Sequence, residues 1–163
     1  MPEQPISLLP LYKGWDIYHE SLIKTIAPLS VDQLSLRLAP HLRSAGENAS
    51  HIVGTRAGWM RFVLEKGGED MVALAEWNQP NQPARTAAEL VNGLHATWHV
   101  IQDALTDWTI ADLAGLVYDT DDDGHLVTYT RQWVIWHLIE HDHHHGGELS
   151  FTLGAHGLSG IEI

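Results

Sequence analysis

The chain has 163 residues, 44% of them apolar, which suffices for one hydrophobic core and is short for two, so a single domain over 1–163 is expected. Nine basic against 21 acidic residues, a formal charge of −12, disfavour nucleic acid, and the absence of cysteine excludes disulfides, thiolate ligands and a cysteine nucleophile. No apolar run approaches the roughly 20 residues of a bilayer span, and the opening MPEQPISLLPLYKGW lacks the basic and long apolar regions of a secretion signal, so the expectation is a soluble, cytoplasmic protein without membrane or nucleic-acid partners.

In chain order, the first helix opens near Pro10, a good first-turn residue. Leu11, Trp15, Tyr18, Leu22 and Ile26 follow the helical spacing of one apolar stripe, and Pro28 ends it. Ser30-Val31-Asp32-Gln33 reads as a capping box for a short turn, and Ser44-Ala45-Gly46-Glu47 as a second that opens a helix running to about Leu64. On this second helix, His51, Thr55, Gly58, Trp59 and Phe62 share the stripe expected to face the core. Gly67-Gly68 stops the helix, Glu69 to Trp77 adds one or two turns, and Asn78 to Pro83 reads as a linker. Thr86-Ala87-Ala88-Glu89 caps a third long helix with the stripe Leu90, Leu94, Thr97, Trp98, Ile101 and Leu105, leaving His95 and His99 solvated. Between Asp107 and Tyr129 the pattern is irregular, with Leu116-Val117-Tyr118 and Leu126-Val127-Thr128 as a short hairpin around an acidic turn. The last long helix begins near Thr130 and ends around Leu153, with Gly154 as its left-handed cap. Four amphipathic segments predict an all-α protein, an antiparallel four-helix bundle with a long connection between the third and fourth helices.

The last helix carries the most informative stretch, Trp136-His137-Leu138-Ile139-Glu140-His141-Asp142-His143-His144-His145-Gly146-Gly147-Glu148, with five imidazoles in nine residues. At about 100° per residue, His137, His141, His144, His145 and Glu148 share one face, while His143 points away into solvent. His141 and His145, one helical turn apart, can reach a common ion. In helical bundles such sites are assembled from facing helices, and His51 on the core stripe of the second helix is the candidate third ligand. Alone, a histidine there is more often a hydrogen-bonded core residue; the cluster on the fourth helix changes the balance.

Other motifs are weaker. Asp119-Thr120-Asp121-Asp122-Asp123-Gly124 copies the opening of a calcium loop, yet the twelfth position is Thr130 instead of Glu, so a solvated acidic turn near the mouth of the site is the better reading. Trp15, Trp59, Trp98 and Trp133 lie in or beside apolar stripes and most are expected in the core, whereas Trp77 or Trp136 lines a pocket or a subunit contact. Glu148 is a candidate proton-transfer group, set against a role in bonding a ligand's free ring nitrogen; Glu140 reads as a surface charge. The histidine run is not an expression tag, being internal, interrupted by Asp142 and followed by core-like Leu149 and Phe151. A solvated stripe or a pH-sensing surface remains its bland alternative.

Asn48-Ala49-Ser50-His51-Ile52-Val53, together with His137-Leu138-Ile139-Glu140-His141-Asp142-His143-His144-His145-Gly146-Gly147-Glu148-Leu149, resembles the DinB-like family of four-helix-bundle metalloproteins, a superfamily that includes bacterial thiol-dependent transferases. The likeness covers nearly the whole chain. It implies a metal triad of His51, His141 and His145, with His144 and His137 beside it, and a divalent ion, Zn, Ni, Fe or Mn. It also implies a thiol transferase or, less often, a hydrolase or isomerase acting on a small-molecule substrate. Lacking cysteine, the chain would use a low-molecular-weight thiol such as bacillithiol, mycothiol or glutathione as cosubstrate, and a homodimer is the family-level expectation. The alternatives are a non-catalytic metal-binding stress protein or histidine-based sensor, and a dimerisation module with surface histidines. One departure stands out: the Arg that follows the family's histidine pair is Gly146 here. Two adjacent glycines in a helix cost roughly 1 kcal/mol each relative to Ala, which points to a close approach or room for a ligand, with packing assigned to Gly147.

Overall fold

The computed structural model describes residues 7–163; residues 1–6, part of the opening segment weighed as a leader, lie outside the described residues. The protein is mostly helical. A 3-10 turn, Leu9–Tyr12, leads into α1 (Lys13–Ile26), followed by α2 (Val31–Leu34) and α3 (Ala45–Gly58), which continues as a π-helical turn, Trp59–Val63. After α4 (Glu69–Ala75) and the 3-10 turn Glu76–Asn78 come α5 (Ala87–Asp107) and α6 (Arg131–Ala155), with a 3-10 turn at Asp112–Ala114 and the strands β1 (Leu116–Thr120) and β2 (Leu126–Thr130) between them. The strands pair antiparallel from Leu116 opposite Thr130 to Thr120 opposite Leu126, forming the expected hairpin.

All three capping boxes form. In each, the side chain of Ser30, Ser44 or Thr86 accepts the N–H of Gln33, Glu47 or Glu89, and that residue's side chain accepts the cap's own N–H. The end of α6 departs from expectation. The helix runs past Gly154 to Ala155, and the left-handed residue is Gly157, whose N–H reaches the Gly154 carbonyl while the Leu158 N–H reaches that of Leu153. This is a Schellman ending about one turn later than predicted, and it returns Leu158, just past the left-handed glycine, to the core.

The apolar core is in two parts. One gathers Trp15, Met60, Trp98, Ile101, Val134 and Leu138; the other gathers Leu22, Ile26, Ile52, Leu94, Leu149 and Leu153. On every long helix a buried polar residue falls between them: His19 on α1, Arg56 on α3, Thr97 on α5 and Asp142 on α6. Four residues assigned to the core are exposed instead: Leu11, Phe62, Trp133 and Phe151. Leu11 lies on the 3-10 turn, and Phe62 lies in the π turn, so neither keeps the 3.6-residue phase of its neighbouring helix. Trp133 stacks between Tyr129 and His137, with centroids 4.2 and 5.1 Å away, and Phe151 lines a surface cavity with Leu38 and Leu42. Trp136 is exposed, while Trp77 lines a pocket, one of the two places foreseen for these rings.

Candidate metal centre

The contact between α3 and α6 brings His51, ninety positions upstream, to the face of α6 that carries His141 and His145. One nitrogen from each of the three imidazoles lies within 4.8 Å of the others, and the Nε2 atoms of His51 and His141 are 3.1 Å apart. Two imidazoles on one tetrahedral ion with bonds of 2.0–2.1 Å would place their nitrogens about 3.3 Å apart, so the spacing suits a shared divalent cation.

The hydrogen bonds behind the rings set which nitrogen faces inward. His51 Nδ1–H donates to Asn78 Oδ1 at 2.9 Å, and His145 Nδ1–H donates to Glu148 Oε2 at 2.7 Å, leaving each Nε2 with its lone pair. His141 is the ring without such support, since its Nδ1 is buried without a partner. Charge is disfavoured on all three. Burial pushes His51 down to about 4 against the opposing hydrogen bond to Asn78; burial and then the neighbouring rings His145 and His51 push His141 down to about 2; and burial lowers His145 despite Glu148. Three imidazoles on which charge is disfavoured, two of them with the Nε2 lone pair turned inward by Asn78 and Glu148, are a metal-ligand set.

Asn78 was passed over as linker. It ends the 3-10 turn after α4, donates from Nδ2 to Thr55 Oγ1 at 3.0 Å, and can approach α3 only because position 54 is glycine; a Cβ there would lie 2.7 Å from its side chain. Glycine on the core side of α3 was the available signal. Glu148 bonds His145, and its Oε1 lies 3.4 Å from His144 Nε2. Partial burial works to raise its pKa, but the hydrogen bond from His145 and the adjacent His145 and His144 hold it below the usual carboxylate value.

The rest of the histidine run is spread around the helix. His137 packs flat on Trp133, edge-on to Trp59 and 6.1 Å from the His141 ring, while His143 and His144 are exposed. His143 is not without contacts, because it stacks on Tyr18 at 4.0 Å. The glycine assignment is corrected. A Cβ on Gly146 would lie 1.8 Å from Tyr18 Oη, whereas Gly147 has nothing within 4 Å. Gly146 is therefore the packing residue, and an Arg at that position would collide with Tyr18. Asp121, Asp123 and His125 cluster but are exposed, and Asp121 Oδ1 accepts the backbone N–H groups of Asp123 and His125, so the acidic turn is held by its own carboxylate.

Asp142, read in sequence only as an interruption of the histidines, is fully buried and pairs with fully buried Arg56, Nη2 to Oδ2 at 2.6 Å. Trp15 Nε1–H donates to the same oxygen at 2.6 Å, Tyr18 Oη–H donates to the Asp142 carbonyl, and Arg56 Nη1 donates to His19 Nδ1 at 3.2 Å. His19 stacks on Trp98, and burial, then Arg56, push its pKa down to about 2.

Comparison with known proteins bears on the fold and the family. No curated protein matches the chain. A DinB-like protein of Bacillus cereus, known from a crystal structure, superimposes with a TM-score of 0.72 at 22% identity, covering 98% of this chain and 99% of its own. The profile of the DinB family matches residues 5–160, and the chain belongs to that family.

Proposed function

We propose that the chain is a metal-dependent enzyme of the thiol S-transferase type. In this reading four long helices form an antiparallel bundle, and His51, His141 and His145 hold one divalent ion, Zn, Ni, Fe or Mn, with positions left for water or substrate. The observation that carries the proposal is that one ligand of the triad, His51, and the carboxylate bonded to another, Glu148, each line a cavity. His51 lines one of about 410 Å³, and Glu148 lines another of about 720 Å³. A closed site with protein ligands alone would favour a structural or sensing role.

When bound, the ion supplies Lewis acidity that brings a coordinated water or thiol to its deprotonated form near neutral pH. The chain's residues do the rest. Asn78 and Glu148 hold two of the ligands in orientation, and Glu148, a carboxylate lining the larger cavity, is the group placed to accept the released proton. With no cysteine in the chain, the thiol comes as a cosubstrate.

The test is metal analysis of protein purified without a histidine tag, then assays of metal-loaded protein with several low-molecular-weight thiols and electrophiles. About one ion per chain and turnover above a His141→Ala control are expected. Metal without turnover would favour a metal-binding stress protein or sensor.

A further inference from the structure

Six arginines serve a chain of net charge −12, and five of them have a carboxylate within 4.0 Å: Arg37 with Glu47, Arg56 with Asp142, Arg61 with Glu69, Arg85 with Glu89 and Arg131 with Asp112. Among the described residues, Arg43 has none. It precedes Ser44, the cap of α3, and is the residue common to the cavity lined by His51 and the cavity lined by Glu148. Its charge is felt by every member of the site, lowering the proton affinity of His51, His141, His145 and Glu148 alike.

The smaller cavity holds a second guanidinium. Arg85 lies over the Trp77 ring, 4.6 Å from its centroid, and donates from Nη2 to Gln82 Oε1 at 3.1 Å. Glu89 is 3.9 Å from it, too far for a hydrogen bond, so this pair neutralises Arg85 only weakly. Trp77 itself is seated where α5 offers Gly93 in place of a side chain. Arg37 differs, being held by both Glu47 oxygens at 2.5 and 2.6 Å. One free guanidinium, one stacked guanidinium without a hydrogen-bonded carboxylate and an aromatic wall make a receptor for oxyanions, because the guanidinium fork matches carboxylate and phosphate oxygens. A volume of about 410 Å³ lies within the range of small-molecule sites.

We infer that this cavity binds a small organic anion, its carboxylate or phosphate on Arg43 and Arg85 and its other end directed past His51 to the triad. The substrate class of the proposed enzyme is therefore anionic. The inference rests on the metal-centre reading only for where the reacting end lies; binding at the arginines is independent of the ion.

The experiment is calorimetric titration of the zinc-loaded full chain with succinate and, separately, with glycerol phosphate, the two arms distinguishing carboxylate from phosphate. Saturable binding of at least one is expected, weakened tenfold or more in Arg43→Ala and in Arg85→Ala. Arg43→Ala should keep wild-type zinc content and circular dichroism, since this side chain is exposed. His51→Ala should lose zinc and still bind the anion; this outcome, or anion binding by a wild-type protein that takes up no zinc, supports the arginine site whatever becomes of the metal reading. Absence of saturable binding in both arms overturns the inference. So does binding that survives Arg43→Ala and Arg85→Ala but vanishes with His51→Ala, which would make the anion a ligand of the ion alone.

Discussion

Two polar clusters share the contact of α3 with α6, the first drawing also on α1, and neighbouring residues of α6 feed them. Asp142 joins Arg56, Trp15 and His19 in a layer between the two halves of the core, whereas His141, one residue earlier, joins His51 and His145. The first is nearly closed. Its carboxylate accepts from a guanidinium and an indole, its guanidinium also bonds an imidazole, and both charges are completely buried. The second is unsaturated, with inward nitrogens that meet only one another, and one of its rings, His51, lines a cavity. A polar group that is buried and satisfied specifies packing, whereas one held in place with its lone pair unused is available for binding.

The largest expected effect tests the closed cluster. Asp142→Ala leaves Arg56 buried and unpaired, which should cost about 3–5 kcal/mol, seen as a lowered midpoint in thermal or urea unfolding. A loss below about 1 kcal/mol would mean that water already reaches the pair. Next is the open cluster. Metal at a hundredfold its Kd should stabilise the wild type by about 2.7 kcal/mol and His51→Ala not at all, measured as the metal-dependent shift in unfolding midpoint. If both proteins shift equally, the ion binds elsewhere, and the contrast between the clusters collapses.

Asn78→Ala sharpens the comparison by removing orientation while keeping all three ligands. Metal affinity should fall roughly 10- to 100-fold by competition with a chelator, with little change in metal-free stability. An unchanged affinity would show that the His51 ring needs no support. Acid probes the closed cluster again. His19 has a native pKa near 2 against an unfolded value of 6.5, so below pH 6.5 the unfolded chain binds the extra proton. Its contribution to stability is fully present above 6.5 and declines as pH falls toward the native value, by up to about 1.4 kcal/mol per pH unit. In denaturant titrations from pH 7 to 5, metal-free His19→Gln should show a shallower loss than metal-free wild type. Identical slopes would assign the acid sensitivity to the triad, where His51 and His141 are depressed in the same direction. The smallest effect separates the two glycines beside these clusters: Gly147→Ala should gain up to about 1 kcal/mol, since nothing lies within 4 Å of the new methyl group, and a loss would reveal a contact at that face.

Much of this was legible in the chain. The capping boxes, the hairpin, the order of the helices and the pairing of His141 with His145 are consequences of short-range spacing, which the backbone obeys wherever it is not overruled. His51 was recognisable because it lies on a core stripe and matches a family segment. What escaped were residues whose role depends on a contact across the fold. Asn78 looked like linker, Arg56 carried no motif, and Phe62 was assigned inward because a π turn does not announce itself in the pattern.

By itself, then, the sequence determined where the helices begin, which faces are apolar and that imidazole is the available metal donor, since these follow from local hydrogen bonding, 3.6-residue periodicity and the absence of cysteine. Only the tertiary structure decided that Asp142 belongs inside with Arg56, that Gly146 instead of Gly147 admits Tyr18, and that Arg43, without a carboxylate within 4.0 Å among the described residues, lines two cavities. Burial, close approach and charge pairing are relations between segments far apart in the chain, and only the packing of α1, α3 and α6 brings those segments together.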